Sequence, residues 1–528
     1  MNNLFVCVIK ISIVQSFSYI LIDKKWQMED HPRNSVLNSL SSAGCQICGL
    51  EASLYPQLET SAQKLYAGMS KHRKQGHKSF RKGVFMYCVD RIIVKPSDSA
   101  YTYLDENARQ AKLLYNAAMF RVRNHFTASQ KAILSPNEQE VEKELSLLPK
   151  RPGRVINACS LQKVMVLTHN PDYYAGLPSQ TAQHVAAQAV TDFRNWLRSL
   201  SAWKKDPSAF LSKPKMPHYV KGDIKDYIFT NQTASVRNGT VSFPKTRATL
   251  PCRIRSGIVR EIKVTPYYGN YLVSICYDVP NTISASGTHT AAIDFGVNNI
   301  MAVTSDTGES VLFKGGAVKA ENQWFNKRRA ELISIITKGY PATGRPSSKQ
   351  LEALSAHRCE WMHDTFQKMS SRLIEWCESH DIGKLILGNN KGWKQNTRIG
   401  SKNNQAFVGV SFCSLQRMIR YKAERAGINV EEQEESYTSK ASFIDNDCIP
   451  VYGDAVSSDA FSGRRIHRGL YKSKDGILLN ADLNGAANIL RKSGADTSRV
   501  ELSALQEPLI LRQPDLNTRI PIKGIAAA

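Results

Sequence analysis

Residues 288–313, THTAAIDFGVNNIMAVTSDTGESVLF, constrain the fold more than any other stretch. The apolar segments 291–295, 300–304 and 311–313 are too short for helices, and Gly296, Asn298, Asn299 and Gly308 punctuate them. The pattern predicts three consecutive strands, a β-meander. Helical periodicity follows at 321–337, with Trp324, Phe325 and Leu332, and again at 351–380. An apolar strand is expected at 384–388, then an amphipathic helix at 412–426 (Phe412, Leu415, Ile419, Ala423) closed by Gly427, and a strand at 428–430. A meander followed by alternating helices and strands predicts an α/β layer.

Upstream the period changes twice. Residues 85–95, FMYCVDRIIVK, alternate like a strand. Two helical stretches follow: one carries Ala108, Leu113, Tyr115, Ala118 and Val122, the other spans 181–197 after the start signal Pro178-Ser179 and carries Val185, Gln188, Ala189, Phe193, Trp196 and Leu197. Aromatics among basic residues here, such as Tyr115, Phe120 and Trp196, could stack bases, but helical core is their commoner fate. Between 227 and 278 the segments are again short, alternating and separated by Gly, Asn and Pro, as in a small barrel or sandwich. With the strand near Phe85 this reads as a β domain carrying a helical insertion.

At roughly 150 residues per domain, 528 residues suggest three or four domains. A hydrophobic content of 42% excludes a disordered chain, and frequent charge excludes a membrane bundle. The net charge of +24 favours a polyanionic partner, because neutralising phosphates releases counterions. The 11 cysteines are scattered, and the lone Cys45-Gln-Ile-Cys48 has no second pair, so neither a disulfide framework nor a four-cysteine zinc module is expected. Residues 4–22 are apolar, but Lys10, Gln15 and three serines interrupt them and no cleavage site follows, so they read as neither a span nor a secretion signal. The basic run 70–82 separates this extension from the rest. A cytoplasmic, nucleoid-associated protein is expected.

Two carboxylates stand out. Asp294 lies in the apolar run Ala-Ala-Ile-Asp-Phe-Gly, where an unpaired charge is costly. Asp482 opens a helix whose Gly485, Ala486 and Ala487 permit close packing, and could be a plain N-cap. Acids on the first strand of a meander and at a helix start suit a two-metal nuclease site, in which Mg²⁺ ions about 4 Å apart activate water and stabilise a leaving oxygen. A third carboxylate is needed, and Glu431, Glu432, Glu434 and Glu435 are candidates, although such a run is usually a solvated face.

The segments IDFGVNN, LGNNKGWKQ, YKAERAGINVEEQEESYTSK and NADLNGAANIL occur in an order that resembles the TnpB family, transposon-encoded RNA-guided nucleases related to compact type V CRISPR effectors. The resemblance runs from about residue 87 to about 492. It implies a multidomain α+β fold: an N-terminal extension (1–85), a wedge-like β-barrel (86–100 and 205–285) with an inserted helical recognition lobe (101–204), a RuvC-like RNase H α/β nuclease domain (286–436 and 475–495), a nucleic-acid-binding insert (437–474) and a C-terminal tail (496–528). It further implies a structured guide RNA, a short target-adjacent motif, a double-stranded DNA target and Mg²⁺-dependent in-line hydrolysis leaving a 5′ phosphate. No membrane partner is implied. Where the family strand carries a catalytic glutamate, this chain has Gly388-Asn389, and where the family has two C-x-x-C pairs it has only Cys448 and a basic loop. The expectation is therefore no zinc, nucleic-acid contact through the charges of Arg464, Arg465, Arg468 and Lys472, and a metal site of Asp294, Glu435 and Asp482. Glu435 follows from a branch of the family in which the glutamate comes from a neighbouring strand. Alternation puts Glu432 and Glu434 on the face of Ile428 and Val430, so Glu435 is expected to need a bend at the strand end, and Glu434 is its rival. The alternative functions are an RNA-guided binder that does not cut and, less favoured, a transposase acting without RNA.

Overall fold

A computed structural model of the protein describes residues 85–280, 287–339, 346–389 and 409–518, apart from 452, 455, 456, 458, 459 and 468. The extension, Cys45, Cys48 and Arg468 lie outside the described residues. Two compact units divide at residues 281–282.

In the first unit, strands β1 (Phe85–Val94), β2 (Tyr227–Thr230), β6 (Ile258–Tyr267) and β7 (Asn270–Pro280) form an antiparallel sheet in the order β1-β7-β6-β2. A second sheet joins β3 (Ser235–Arg237), β4 (Thr240–Ser242) and β5 (Thr249–Pro251). The expected barrel is therefore two open antiparallel sheets among the described residues. Helices α1 (Tyr101–Ala128), α2 (Pro136–Leu145), α3 (Ala158–Leu167) and α4 (Ser179–Lys205) form the insertion. Along α1, Leu104, Ala108, Ala111, Tyr115, Ala118 and Val122 are buried at helical spacing against Ala182, Val185, Ala189 and Phe193 of α4. Leu114, rather than Leu113, points inward; Leu113 is 45% exposed, and Gln188 is also exposed. The insertion and the sheets share one hydrophobic core, running through Tyr227, Phe229, Ile262 and Val273, so they are not separately cored lobes. The aromatics serve that core: the Tyr115 hydroxyl donates to Asp192 Oδ2 at 2.7 Å, and Trp196 packs edge-on to Phe193 at 5.1 Å.

The second unit is built on a six-stranded sheet. Its strands are β8 (His289–Phe295), β9 (Asn299–Ser305), β10 (Ser310–Lys314), β11 (Ile382–Asn389), β12 (Asn429–Glu434) and β16 (Leu509–Leu511), in the order β12-β11-β8-β9-β10-β16. The meander β8-β9-β10 is antiparallel, whereas β11 pairs parallel to β8 and β12 parallel to β11. The presumed C-terminal tail thus supplies a parallel edge strand, β16, against β10. Helices α5 (Gly316–Thr337) and α6 (Lys349–Ser379) precede β11, and α7 (Phe412–Arg425) precedes β12. Helices α6 and α7 cover one face through Phe366, Met369, Leu373, Leu415 and Ile419, against Ala291, Ile293, Leu385 and Leu387. On α5, Phe325 and Leu332 are buried but Trp324 is 49% exposed. Helix α8 (Ala481–Lys492) covers the other face, where Ile489 and Leu490 meet Ala292 and Ile386. Because side chains alternate along a strand, Asp294 and Gly388 fall on the α8 face. The insert adds β13 (Arg464–His467) and β14 (Leu470–Lys472), which form a small antiparallel sheet with β15 (Leu478–Asn480) immediately before α8.

Candidate active site

The carboxyl ends of β8, β11 and β12 lie side by side, since Leu387 pairs with Ile293 and Asn389 with Glu434. Such an edge is where open α/β sheets hold ligands. Asp294 is the penultimate residue of β8 and lies under α8, where a Cβ on Gly485 would come within 2.7 Å of its Oδ2. The helix can approach only because that position has no side chain. Asp294 is half-buried. Burial, then the negative charges of Glu435 and Asp482, push its carboxyl well above the ordinary range, partly opposed by Arg465.

Asp482 is not the cap of its helix. Asn480 takes that role, its side chain accepting from the Asp482 and Leu483 amides. The Asp482 carboxylate instead accepts from Arg465 Nη2 on Oδ1 and from Asn299 Nδ2 on Oδ2, both at 2.7 Å. Sequence reading treated Asn299 as loop punctuation and Arg465 as a nucleic-acid contact only. Asn299 is buried at the start of β9, and no local sequence signal marks it as a partner of Asp482.

The glutamate run resolves residue by residue. Glu431, Glu432 and Glu434 lie within β12, and each has a cation: Lys384 at 2.7 Å, Arg420, and Lys492 at 2.5 Å. Glu435, just past the strand, has no ion pair among the described residues, and its Oε2 is buried without a hydrogen-bond partner. Burial, reinforced by the Glu434 charge, pushes its carboxyl up to about 7. Glu434 is pushed up by burial but held below its usual range by hydrogen bonds from Lys492 and Ser436.

The expected bend is unnecessary. Ile428 and Val430 face the α6 and α7 core, so the site lies on the opposite face of the sheet. In register Gln433 pairs with Gly388, and two residues further on Glu435 shares that face with Asp294. A Cβ at Gly388 would meet Glu435 Oε2 at 2.6 Å, Ile489 Cδ1 at 2.8 Å and the Ile293 carbonyl at 3.0 Å. The glutamate carboxylate therefore uses the space a side chain at 388 would take. Gly388→Ala is expected to cost about 1–3 kcal/mol in denaturant unfolding, from overpacking against a neighbouring backbone that has little room to yield.

Among the described residues, no three His, Cys, Asp or Glu side chains are already gathered about a point where an ion could sit, and Arg465 holds Asp482. The donor set nonetheless fits a hard divalent cation: carboxylate oxygens, one of them buried and orphaned. Beside these acids, Lys440, Arg464, Arg465, Lys472 and Lys474 line a groove of about 720 Å³ together with Phe461. The insert is tied by carboxylates: Asp447 accepts from Ser442 N at 2.7 Å and Ser462 Oγ at 2.6 Å, and Asp445 from Lys474 N at 2.9 Å.

Residues 274–394 match the OrfB_IS605 family, described as "Probable transposase", and residues 412–489 match the "Cas12f1-like, TNB domain" family. The TnpB-like protein ORF457 of Acidianus two-tailed virus is 27% identical over 244 residues, 45% of this chain and 48% of that protein. Over these segments the chain is similar to TnpB-type proteins. It spans about half the length of this curated TnpB relative. Two solved structures are similar at low identity. The Cas12f1-sgRNA-target DNA complex is 12% identical with a TM-score of 0.41, over 73% of this chain and 82% of that one. Alicyclobacillus acidoterrestris C2c1 with single-guide RNA is 12% identical with a TM-score of 0.23, over 75% and 32%. Asp294 and Gly388 fall in the first matched segment, Glu435, Arg465 and Asp482 in the second. No helix among the described residues is long and apolar enough to cross a membrane.

Proposed function

We propose that the chain is an RNA-guided DNA endonuclease whose RuvC-type centre consists of Asp294, Glu435 and Asp482. The observation that carries this reading is that Asp294 and a Glu435 oxygen without a partner lie at the carboxyl ends of the parallel strands flanking β11, with Gly388 of β11 leaving the room between them. The strand order β12-β11-β8-β9-β10, antiparallel through the meander and parallel beyond it, supports an RNase H-type core. Similarity to TnpB-type proteins and the +24 charge support guide RNA and double-stranded DNA as partners, recognised mainly through backbone and shape.

Asp294, Glu435 and Asp482 would hold the Mg²⁺ ions. When bound, Mg²⁺ supplies Lewis-acid activation of water and stabilises the leaving oxygen. The chain's own residues prepare the site. Asn299 and Arg465 fix both oxygens of Asp482, so its carboxylate keeps one orientation. Arg464, Arg465 and Lys472 offer the neighbouring phosphates a positive groove; Arg468, which is outside the described residues, is proposed to join them. These contacts position the strand without reading its sequence. Arg464→Ala with Lys472→Ala is expected to weaken target binding uniformly across sequences and to reduce the salt dependence by a slope of about 1–2, measured by binding titrations between 50 and 200 mM salt.

Arg465 sitting on Asp482 favours a second reading, an RNA-guided binder that does not cut. Expression with flanking genomic sequence, sequencing of the copurifying RNA and a cleavage assay on a matching plasmid library in Mg²⁺ distinguish them. Guided cleavage supports the nuclease. Bound RNA and target without cutting supports the binder, and absence of any specific RNA overturns both.

A further inference from the structure

Helix α8 does more than present Asp482. On one face, at four-residue spacing, it carries Asn484, Asn488 and Lys492, and all three reach the segment that bears Glu435. The Asn484 amide donates to the Ala441 carbonyl at 2.8 Å, while its oxygen accepts from the Phe443 amide at 3.0 Å. The Asn488 amide donates to the Thr438 and Ala441 carbonyls at 2.9 and 2.7 Å. Both asparagines are fully buried, where an amide is kept only if its hydrogen bonds are made. Lys492 Nζ donates to Glu434 Oε2 at 2.5 Å, and to the Pro450 and Ser436 carbonyls at 3.1 and 3.3 Å. Glu434 Oε1 in turn accepts from the Ser436 amide at 2.7 Å, and the Thr438 hydroxyl closes the turn on the Glu435 carbonyl at 2.8 Å.

Within this turn Tyr437 has a φ of +65°, a left-handed conformation that costs a tyrosine on the order of 1–3 kcal/mol and persists only when its surroundings impose it. The bonds from α8 impose it, by gripping the chain on both sides of Tyr437. Glu435, placed on the α8 face by alternation, is thereby held in one orientation, while Glu434 is bonded to Lys492 and Ser436.

We propose that Asn488, Lys492 and Glu434 are positioning residues that aim Glu435 at the site, so that one helix sets both Asp482 and the carboxylate that stands in for the missing residue at 388. This rests on the reading of Glu435 as a metal ligand. It makes Glu434 a brace rather than the rival ligand, and explains why a lysine near the far end of α8 is spent on the third glutamate of the run.

The test uses the full chain with its copurifying RNA and Mn²⁺ as the probe, with binding followed by electron paramagnetic resonance and the extracted RNA alone setting the background. Lys492→Met, Glu434→Gln and Asn488→Ala are expected to weaken Mn²⁺ binding about 10–100-fold, as lost supports of a metal ligand do. Cleavage should recover when Mn²⁺ is raised, and Lys492→Arg should stay near wild type. Wild-type Mn²⁺ affinity in Lys492→Met and Glu434→Gln, with or without a lower melting temperature, overturns the proposal. Glu434→Gln that is as dead as Glu435→Ala and not recovered by Mn²⁺ also overturns it, since Glu434 would then be a ligand. If Glu435→Ala itself leaves Mn²⁺ affinity unchanged, the ligand reading falls and takes the ladder with it; if only Glu435→Ala weakens binding, the ladder alone is wrong.

Discussion

Glu435→Ala is expected to lower guided, Mg²⁺-dependent cleavage by on the order of 10³-fold or more while guide RNA and target remain bound. The size follows from the role. A carboxylate holding a metal acts together with its fellow ligands, and removing one member of such a unit costs nearly as much as removing all of them. The alternatives in the chain are already committed, because Glu431, Glu432 and Glu434 each hold a cation and position 388 has no side chain. Asp294→Ala should match Glu435→Ala, and the double variant should be scarcely worse than either. Single-turnover cleavage beside filter binding of the labelled target measures both halves of this expectation. Loss of binding in step with loss of cutting would point to a folding defect instead.

The second large effect is on stability, and its sign runs against intuition. The carboxyls of Asp294 and Glu435 are both raised in the folded protein, Glu435 from 4.5 to about 7. A folded state that holds protons more tightly than the unfolded one is favoured at low pH. Its advantage is complete below about pH 4.5 and is lost as pH rises through 7. Metal-free protein at pH 8 therefore carries mutually repelling acids with nothing between them. Glu435→Gln should stabilise it by about 1–3 kcal/mol at pH 8, taking roughly 1.4 kcal/mol per pKa unit as an upper scale. At pH 4.5 the same substitution should be nearly neutral. Denaturant unfolding in chelator at the two pH values tests this, and Mg²⁺ should reverse the order of the two proteins at pH 8. A Glu435→Gln protein less stable than wild type at pH 8 without metal would mean that Glu435 has a favourable partner.

Asp294 stands out in the sequence as an acid in an apolar run, and Asp482 as an acid opening a helix of small residues. The different surroundings of Glu434 and Glu435 were not legible. Alternation gives the relative faces of neighbouring residues, but only the packing of α6 and α7 on Ile428 and Val430 tells which face is core and which is site. The meander, β11 and α7 were read within a few residues because their punctuation is strong. Strand β16 was missed because three residues, Leu509–Leu511, carry no period and are held by pairing with β10. Likewise, the single core shared by the helical insertion and its sheets depends on contacts such as Tyr103 stacked on Phe229, 126 residues apart in sequence. Arg465 and Asn299 read as a surface charge and a turn residue, since nothing local marks them as partners of an aspartate almost 20 or over 180 positions away.

The most direct measurement is single-turnover cleavage of a plasmid matching the copurified RNA, in Mg²⁺, by wild type and by Glu435→Gln. The account predicts guided double-strand cutting by the wild type and none above background by the variant, with equal target occupancy. Equal cutting by both proteins, or occupancy without cutting by the wild type, would contradict it.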